Sequence, residues 1–307
     1  MSGTVKKQTE SSRGKTALLF GVGYTARAMI ARLKARGYDI IGTSRSAEKA
    51  KTLAAQLGIG MVVFDGTLTA GLHKVLRRAD LVLSSIPPNA DGDPVIRAMG
   101  GDFKTFAPRA RWAGYLSATS VYGDRGGQWV FEDELLKPVT QRGWNRLRAE
   151  MAWLESGAPV HIFRLAGIYG PEIGGLSRHP FGRLRAGKAR AVIKPGHVVN
   201  RIYVTDIASA IMASTLRPNP VYIYNLADNE PSPPQDVIDY AAELIGAEPP
   251  PRYDWVTADI SNMARSFYTA NKRISNARAK QDLGWEPEFP NYRAGLRAIA
   301  GQEEKTS

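Results

Sequence analysis

Ala17-Leu18-Leu19-Phe20-Gly21-Val22-Gly23-Tyr24-Thr25-Ala26-Arg27-Ala28-Met29-Ile30 carries an apolar run of strand length into a glycine pair, then into a helical pattern. Ala26, Met29, Ile30 and Leu33 recur at helical spacing and would face a sheet. Gly21, Gly23 and Ala26 read G-x-G-x-x-A. In a dinucleotide-binding turn the first glycine permits the tight bend. The second lets backbone approach a pyrophosphate, and the third small residue keeps helix and strand close. The helix start, at Tyr24 and Thr25, would offer backbone N–H groups and the positive end of its dipole to phosphates.

The 307 residues suit one large α/β domain, or such a core with a smaller lobe. A hydrophobic fraction of 43% is enough for a core, and the absence of cysteine excludes disulfides and thiolate chemistry. That composition suits a reducing cytoplasm. No stretch reaches the ~18 apolar residues of a membrane span. Residues 1–15 are polar and basic and read as a disordered tail without a signal-peptide core. Lys and Arg number 41 against 29 Asp and Glu, a net charge of +12. This favours anionic partners without choosing among a phosphorylated cofactor, an acidic substrate and nucleic acid.

After the first helix, Tyr38 to Ser44 reads as a second strand. NAD-binding folds usually place an acidic residue at its end to hold the ribose hydroxyls. This chain has Thr43, Ser44, Arg45 and Ser46 there. Arg45 could pair with a 2′-phosphate, which favours NADP over NAD, or it could simply be a solvated residue opening the helix 46–57. A third strand ends at Asp65, whose carboxylate could accept from an adenine amino group or cap a turn. A fourth, from Asp80, is broken by Pro87 and Pro88. It would set Ser84, Ile86 and Pro87 at the carboxyl edge of the sheet, where ligands bind. A helix over roughly 93–107 leads to a fifth strand, Ala113 to Ser120. The alternation predicts an α/β, Rossmann-type doubly wound parallel sheet.

Further along come Ser117-Ala118-Thr119-Ser120-Val121-Tyr122-Gly123, Phe163-Arg164-Leu165-Ala166-Gly167-Ile168-Tyr169-Gly170-Pro171 and Asn200 to Ala208. Tyr224-Asn225-Leu226-Ala227-Asp228 and Asn271-Lys272-Arg273-Ile274-Ser275-Asn276 follow. With the glycine turn, these resemble the extended short-chain dehydrogenase/reductases of the NAD-dependent epimerase/dehydratase family, and within it the atypical YeeZ-like subgroup. The match runs from about residue 16 to about 300. The resemblance implies that Ala166 to Ile168 line the nicotinamide side of a cofactor site, and that the helix 139–157 packs against its copy in a homodimer. It also implies a dinucleotide domain over 16–170, to which strand 221–226 returns, and a substrate lobe from 171–220 and 227–301.

The chain departs from that family in its catalytic pattern. The family's Ser or Thr three residues before the Val of Val-Tyr-Gly falls at Ala118. Anchored on Gly143 and Glu150, its Tyr falls at Arg142 and its Lys at Arg146. Arginine stays charged and has no proton to give near neutral pH, although Arg146 could contact ribose or phosphate. As strand neighbours, Ser117 and Thr119 would point to the face opposite Ala118. Thr119, Tyr122 and His179 are the remaining candidates for the lost proton chemistry.

Residues 182–190 are strongly basic, with Lys194 and Arg201 behind them. They read either as a grip on a substrate anion, with Arg183 and Arg201 foremost, or as a solvated helix face. Asp206 reads as a structural carboxylate at a helix start. The four histidines are dispersed and form no metal motif. The resulting expectation is an NADP-binding, epimerase- or reductase-like cytoplasmic protein acting on a small anion, a sugar or sugar nucleotide included. The alternative is a non-catalytic NADP-binding sensor. No nucleic-acid module accompanies the positive charge.

Overall fold

The computed structural model describes residues 14–217, 222–261 and 265–305. The first half alternates β1 (Lys15–Phe20), α1 (Tyr24–Ala35), β2 (Tyr38–Ser44), α2 (Ala47–Leu57), β3 (Gly60–Val63), α3 (Ala70–Arg78) and β4 (Leu81–Ser84). Short helices α4 (Pro94–Ala98) and α5 (Phe103–Phe106) lead to β5 (Trp112–Ala118) and a 3-10 turn at Thr119–Tyr122. Then come β6 (Trp129–Val130), α6 (Gln141–Glu155) and β7 (Val160–Leu165). The second half holds β8 (Gly167–Ile173), β9 (Leu176–Arg178), α7 (Phe181–Arg185), β10 (Ala191–Ile193), β11 (Arg201–Tyr203) and α8 (Val204–Ser214). It continues with β12 (Tyr222–Leu226), α9 (Pro234–Leu244), β13 (Arg252–Asp254) and β14 (Arg273–Ile274), then the helices Ala277–Leu283 and Tyr292–Glu304.

A seven-stranded sheet in the order β12-β7-β5-β4-β1-β2-β3 forms the centre, and every pairing in it is parallel. Strand alternation sends Ala17 and Leu19 into one apolar layer with Met29 and Leu33 of α1. Leu18 and Phe20 enter the opposite layer with Leu72 and Leu76 of α3 and Trp153 of α6. A third cluster, with Phe181, Tyr203, Val237 and Leu296, forms the core of the smaller lobe. The chain winds from β1 to β3 on one side, then crosses to β4 on the other. The reversal opens a crevice at the carboxyl ends of β1 and β4.

Several boundaries differ from the sequence reading. Of the segment read as a tail, residues 1–13 lie outside the described residues, and Lys15 already begins β1. Val221, expected in the returning strand, also lies outside them. The helix expected over 93–107 is two helices, because Gly100 and Gly101 take φ of 58° and 85° between them and Asp93 and Asp102 cap separate starts. Within the motif Asn271–Asn276, Arg273–Ile274 pairs with β6 as a strand, and the helix that follows starts at Ala277. The domain boundary also shifts. Helix α8 carries Ile207, Ala208 and Ile211 into the same apolar layer as α1, so it packs on the dinucleotide core together with β12. Asp206 is structural through a different contact: its two oxygens accept from the backbone N–H groups of Glu288 and Phe289.

Candidate functional site

The glycine turn sits at the crevice and is held from both flanks. Gly21 N–H donates to Thr43 Oγ1 of β2 at 2.9 Å. Ser85 Oγ, just past β4, donates to Gly21 O at 3.0 Å. Gly21 has φ of 80°, and a Cβ there would lie 3.0 Å from Ser85 Oγ, so glycine is required twice over. Gly23 differs. It is the N-cap of α1 with no side-chain cap, and a Cβ built on it meets nothing within 4 Å. The first N–H groups of α1 have no intrahelical acceptors and face this open space. Ser84 Oγ, wholly buried at the end of β4, has no hydrogen-bond partner. An open cradle, an uncapped twelve-residue helix and an orphan hydroxyl suit a dinucleotide pyrophosphate.

Around the cradle, Ser44 is buried at the end of β2 and Thr25 is buried in α1, whereas Arg45 and Pro87 are exposed and Ile86 is half-buried. Three residues expected to bind cofactor have other occupations. Asp65 Oδ1 accepts from Thr67 N–H and caps a turn. Tyr24 is buried, with its hydroxyl donating to Pro171 O at 2.7 Å; burial raises its pKa. Ser117 Oγ donates to Glu150 Oε1 beneath the sheet.

A cleft of about 260 Å³ brings Ala118, Arg142, Arg146 and Ala166 together, as their motif positions imply. A Cβ on Gly143 would lie 2.9 Å from Ser120 O, so only glycine lets α6 come this close to the 3-10 turn. Arg146 is partly committed: its Nη1 donates to Leu116 O at 2.5 Å and to the Tyr115 hydroxyl at 3.3 Å. Thr119 lines the cleft, contrary to the strand-alternation reading. The strand stops at Ala118, and the 3-10 turn that starts at Thr119 breaks the two-residue period. Tyr122 takes no part: it is buried, donating to Asn225 Oδ1 and accepting from Arg164. Burial pushes its phenol up to about 12.

Lys272 also lines this cleft, and the residue-by-residue reading passed over it. The motif Asn271–Asn276 held the signal, but nothing local said which surface the lysine would reach.

A second cavity, of about 610 Å³, lies in the smaller lobe. Arg178, Arg183, Lys188, Arg190 and Arg201 line it, and no carboxylate does among the described residues. Tyr169, Tyr268 and apolar side chains complete its wall. Ile168, expected at the nicotinamide, lines this cavity instead. Arg201 is held by the carbonyls of Val199 and Ser232. His179 lines it too, 3.5 Å from Glu303; burial lowers its pKa and favours the neutral ring. Arg185 pairs with Glu303, and Lys194 donates to Tyr268 O at 2.5 Å, so neither lines the cavity. Arg178, which local reading also missed, stands over the Tyr24 ring at 5.6 Å, joining this cavity to the start of α1. Neighbouring residues divide between the two cavities: Gly167 and Ile168, Asn200 and Arg201, Phe267 and Tyr268. The cavities therefore adjoin.

Known proteins match most of the chain. A conserved protein of unknown function from Silicibacter pomeroyi DSS is 45% identical in sequence, with a TM-score of 0.86, over 94% of this chain and 99% of its own. The dTDP-glucose 4,6-dehydratase of Bacillus anthracis str. Ames, solved with NAD, superposes with a TM-score of 0.72 at 16% identity, covering 95% and 97% of the two chains. The fold is that of NAD-dependent epimerase/dehydratase structures, to which the chain is similar at under 25% identity. A Streptomyces 3-diazoavenalumate denitrifying reductase is 26% identical over 297 residues, which is 89% of this chain and 96% of that protein. The family model "NADP oxidoreductase coenzyme F420-dependent" matches residues 15–98, the stretch from β1 to α4. What the chain shares with the solved structures is the fold, a parallel Rossmann-type sheet with a smaller lobe. Among the described residues, no helix is long and apolar enough to cross a membrane. No three His, Cys, Asp or Glu side chains gather there to hold a metal.

Proposed function

We propose that this protein binds NADP(H) at the Gly21–Ala26 turn and reduces a small anionic substrate held between the cleft and the basic cavity. The observation that carries the reading is the juxtaposition of the two cavities. One holds the motif positions Ala118, Arg142 and Arg146, and the other, adjoining it, is lined by five cations and, among the described residues, by no carboxylate. An uncompensated cluster of this kind attracts and orients an anion. NADP preference rests on the exposed Arg45 and the absence of an acid at the end of β2. The bound cofactor would supply hydride. The chain's own part is to seat the phosphates on α1, to aim the substrate anion with Arg183 and Lys188, and to place its reacting end beside Ala166. A sugar nucleotide belongs to this substrate class, and the Bacillus anthracis protein is named for one.

The sensor reading draws on one observation. The serine, tyrosine and lysine of the family resemblance are Ala118, Arg142 and Arg146 here, and the nearby Tyr122 phenol is buried and occupied. Homodimerisation through α6 is a further proposal, since Trp144, Met151 and Leu154 are exposed on it.

Calorimetry with NADPH and NADH, followed by NADPH oxidation across carbonyl compounds bearing carboxylate or phosphate groups, tests the reading. Tighter NADPH binding with turnover of an anionic substrate is expected. Failure to bind either cofactor would overturn the reading, and binding without turnover of any substrate would favour the sensor. Tight, steeply salt-dependent binding to DNA would redirect the cationic cavity to nucleic acid.

A further inference from the structure

We propose that Lys272 is the proton donor of the Ala118–Arg142–Arg146 cleft. The inference rests on the reductase reading above and assigns its missing acid. Reducing a polar double bond needs a hydride on carbon and a proton on the heteroatom. Among the described residues lining the cleft, the ionisable side chains are Arg142, Arg146 and Lys272. Arginines hold their protons at any working pH, and the hydroxyls of Thr119, Ser120, Thr140, Ser266 and Thr269 are far too weak as acids.

Lys272 is held in place by its neighbours. Asn271 N–H donates to Asp124 Oδ1 at 2.7 Å, and Asn200 Nδ2 donates to Lys272 O at 2.8 Å. Asn200 Oδ1 accepts from Ile274 N–H at 2.7 Å. The stem of Lys272 is buried, at 8% exposure. Its ammonium donates to one neutral acceptor, Gly123 O, at 3.0 Å. An ammonium has three donors, so this buried cation keeps N–H groups for whatever enters the cleft.

Burial pushes the Lys272 pKa down to about 8, with Asp124 opposing and Arg125 assisting. His197 before β11 also feels its charge, Arg142 and Arg146 of α6 line the same cleft, and Lys194 acts on Asp124. An acid of this strength is largely protonated at neutral pH and still gives its proton up readily. In the step, the hydride supplied by the reduced nicotinamide bonds to the substrate carbon. The π electron pair moves onto the heteroatom, which takes the proton from Nζ. The oxidised cofactor and a neutral amine remain, and solvent reprotonates the amine.

The first test uses the cofactor-free protein. Acetic anhydride labelling of Lys272, read by peptide mass spectrometry across pH, should show a midpoint near 8. A midpoint at the ordinary 10 or above would overturn the proposal. The second test uses Lys272→Met and Lys272→Arg. Both should bind NADPH within about threefold of the parent protein, which shows that the fold is intact, and both should lose ~10²–10⁴-fold in kcat. The parent's alkaline fall in kcat near pH 8 should vanish in both. Lys272→Arg turning over like the parent would mean that only the positive charge matters, and would overturn proton donation. If the parent protein fails to bind NADPH, the reductase reading falls on its own evidence, whatever the labelling midpoint.

Discussion

The Arg164 guanidinium on β7 lies 2.8 Å from the Glu150 carboxylate on α6, with both side chains almost wholly out of water. Ser117 and Tyr122 join the pair from β5 and the 3-10 turn that follows it. The network pins α6 to the sheet at the level of the cleft. Glu150→Gln would leave the Arg164 charge buried without its counter-ion and should destabilise the protein by roughly 3–5 kcal/mol. Urea unfolding measures this. A loss below ~1 kcal/mol would show that the pair is not the anchor of α6.

Gly23→Val should fold normally, because a Cβ there meets nothing within 4 Å and the backbone is not left-handed. The valine would project into the space that phosphates need. Cofactor binding measured by calorimetry should fall below detection while the circular dichroism spectrum is unchanged. A well-folded variant with parental affinity would place the pyrophosphate elsewhere.

Arg45→Ala should weaken NADPH selectively. Loss of one charge-assisted hydrogen bond is worth roughly 1.5–3 kcal/mol, or about tenfold to a hundredfold in Kd, with NADH affinity unmoved. An equal loss for both cofactors would mean that Arg45 does not read the 2′-phosphate.

Asp228 makes stability depend on pH. Its Oδ2 is buried without a partner, and burial pushes its pKa from 3.8 to about 8, opposed by the Glu230 N–H and Arg201. The folded state therefore holds the proton more tightly than the unfolded chain. The resulting stabilisation is complete below pH 3.8 and is lost as pH rises to about 8. The slope from one such group is at most ~1.4 kcal/mol per pH unit. Asp228→Asn should flatten that fall and raise stability at pH 8 relative to the parent. Parallel stability–pH curves for the two proteins would contradict the assignment.

Much of this molecule is written locally. Ala17 to Ile30 specifies strand, turn and helix because the apolar spacing changes period at a glycine pair, and both signals need only near neighbours. The sheet class followed from the repetition of that unit. The motif positions 118, 142 and 146 were also legible, and Gly143 then proved to be the contact that lets α6 reach the turn. Some side chains found distant partners that no local rule names. Ser117 found Glu150, Asp206 found the loop at 288–289, and Tyr122 found Asn225 and Arg164.

By itself, then, the sequence determined the parallel sheet and the strand–glycine-turn–helix unit at its start, because strand and helix periods and turn chemistry are properties of contiguous residues. Only the tertiary structure decided what lines the two cavities. Arg178 reaches Tyr24 and Lys272 reaches Gly123 across more than a hundred residues, and α8 returns to the core beside α1. Such contacts depend on how separate elements close on one another, and no window of sequence contains both partners.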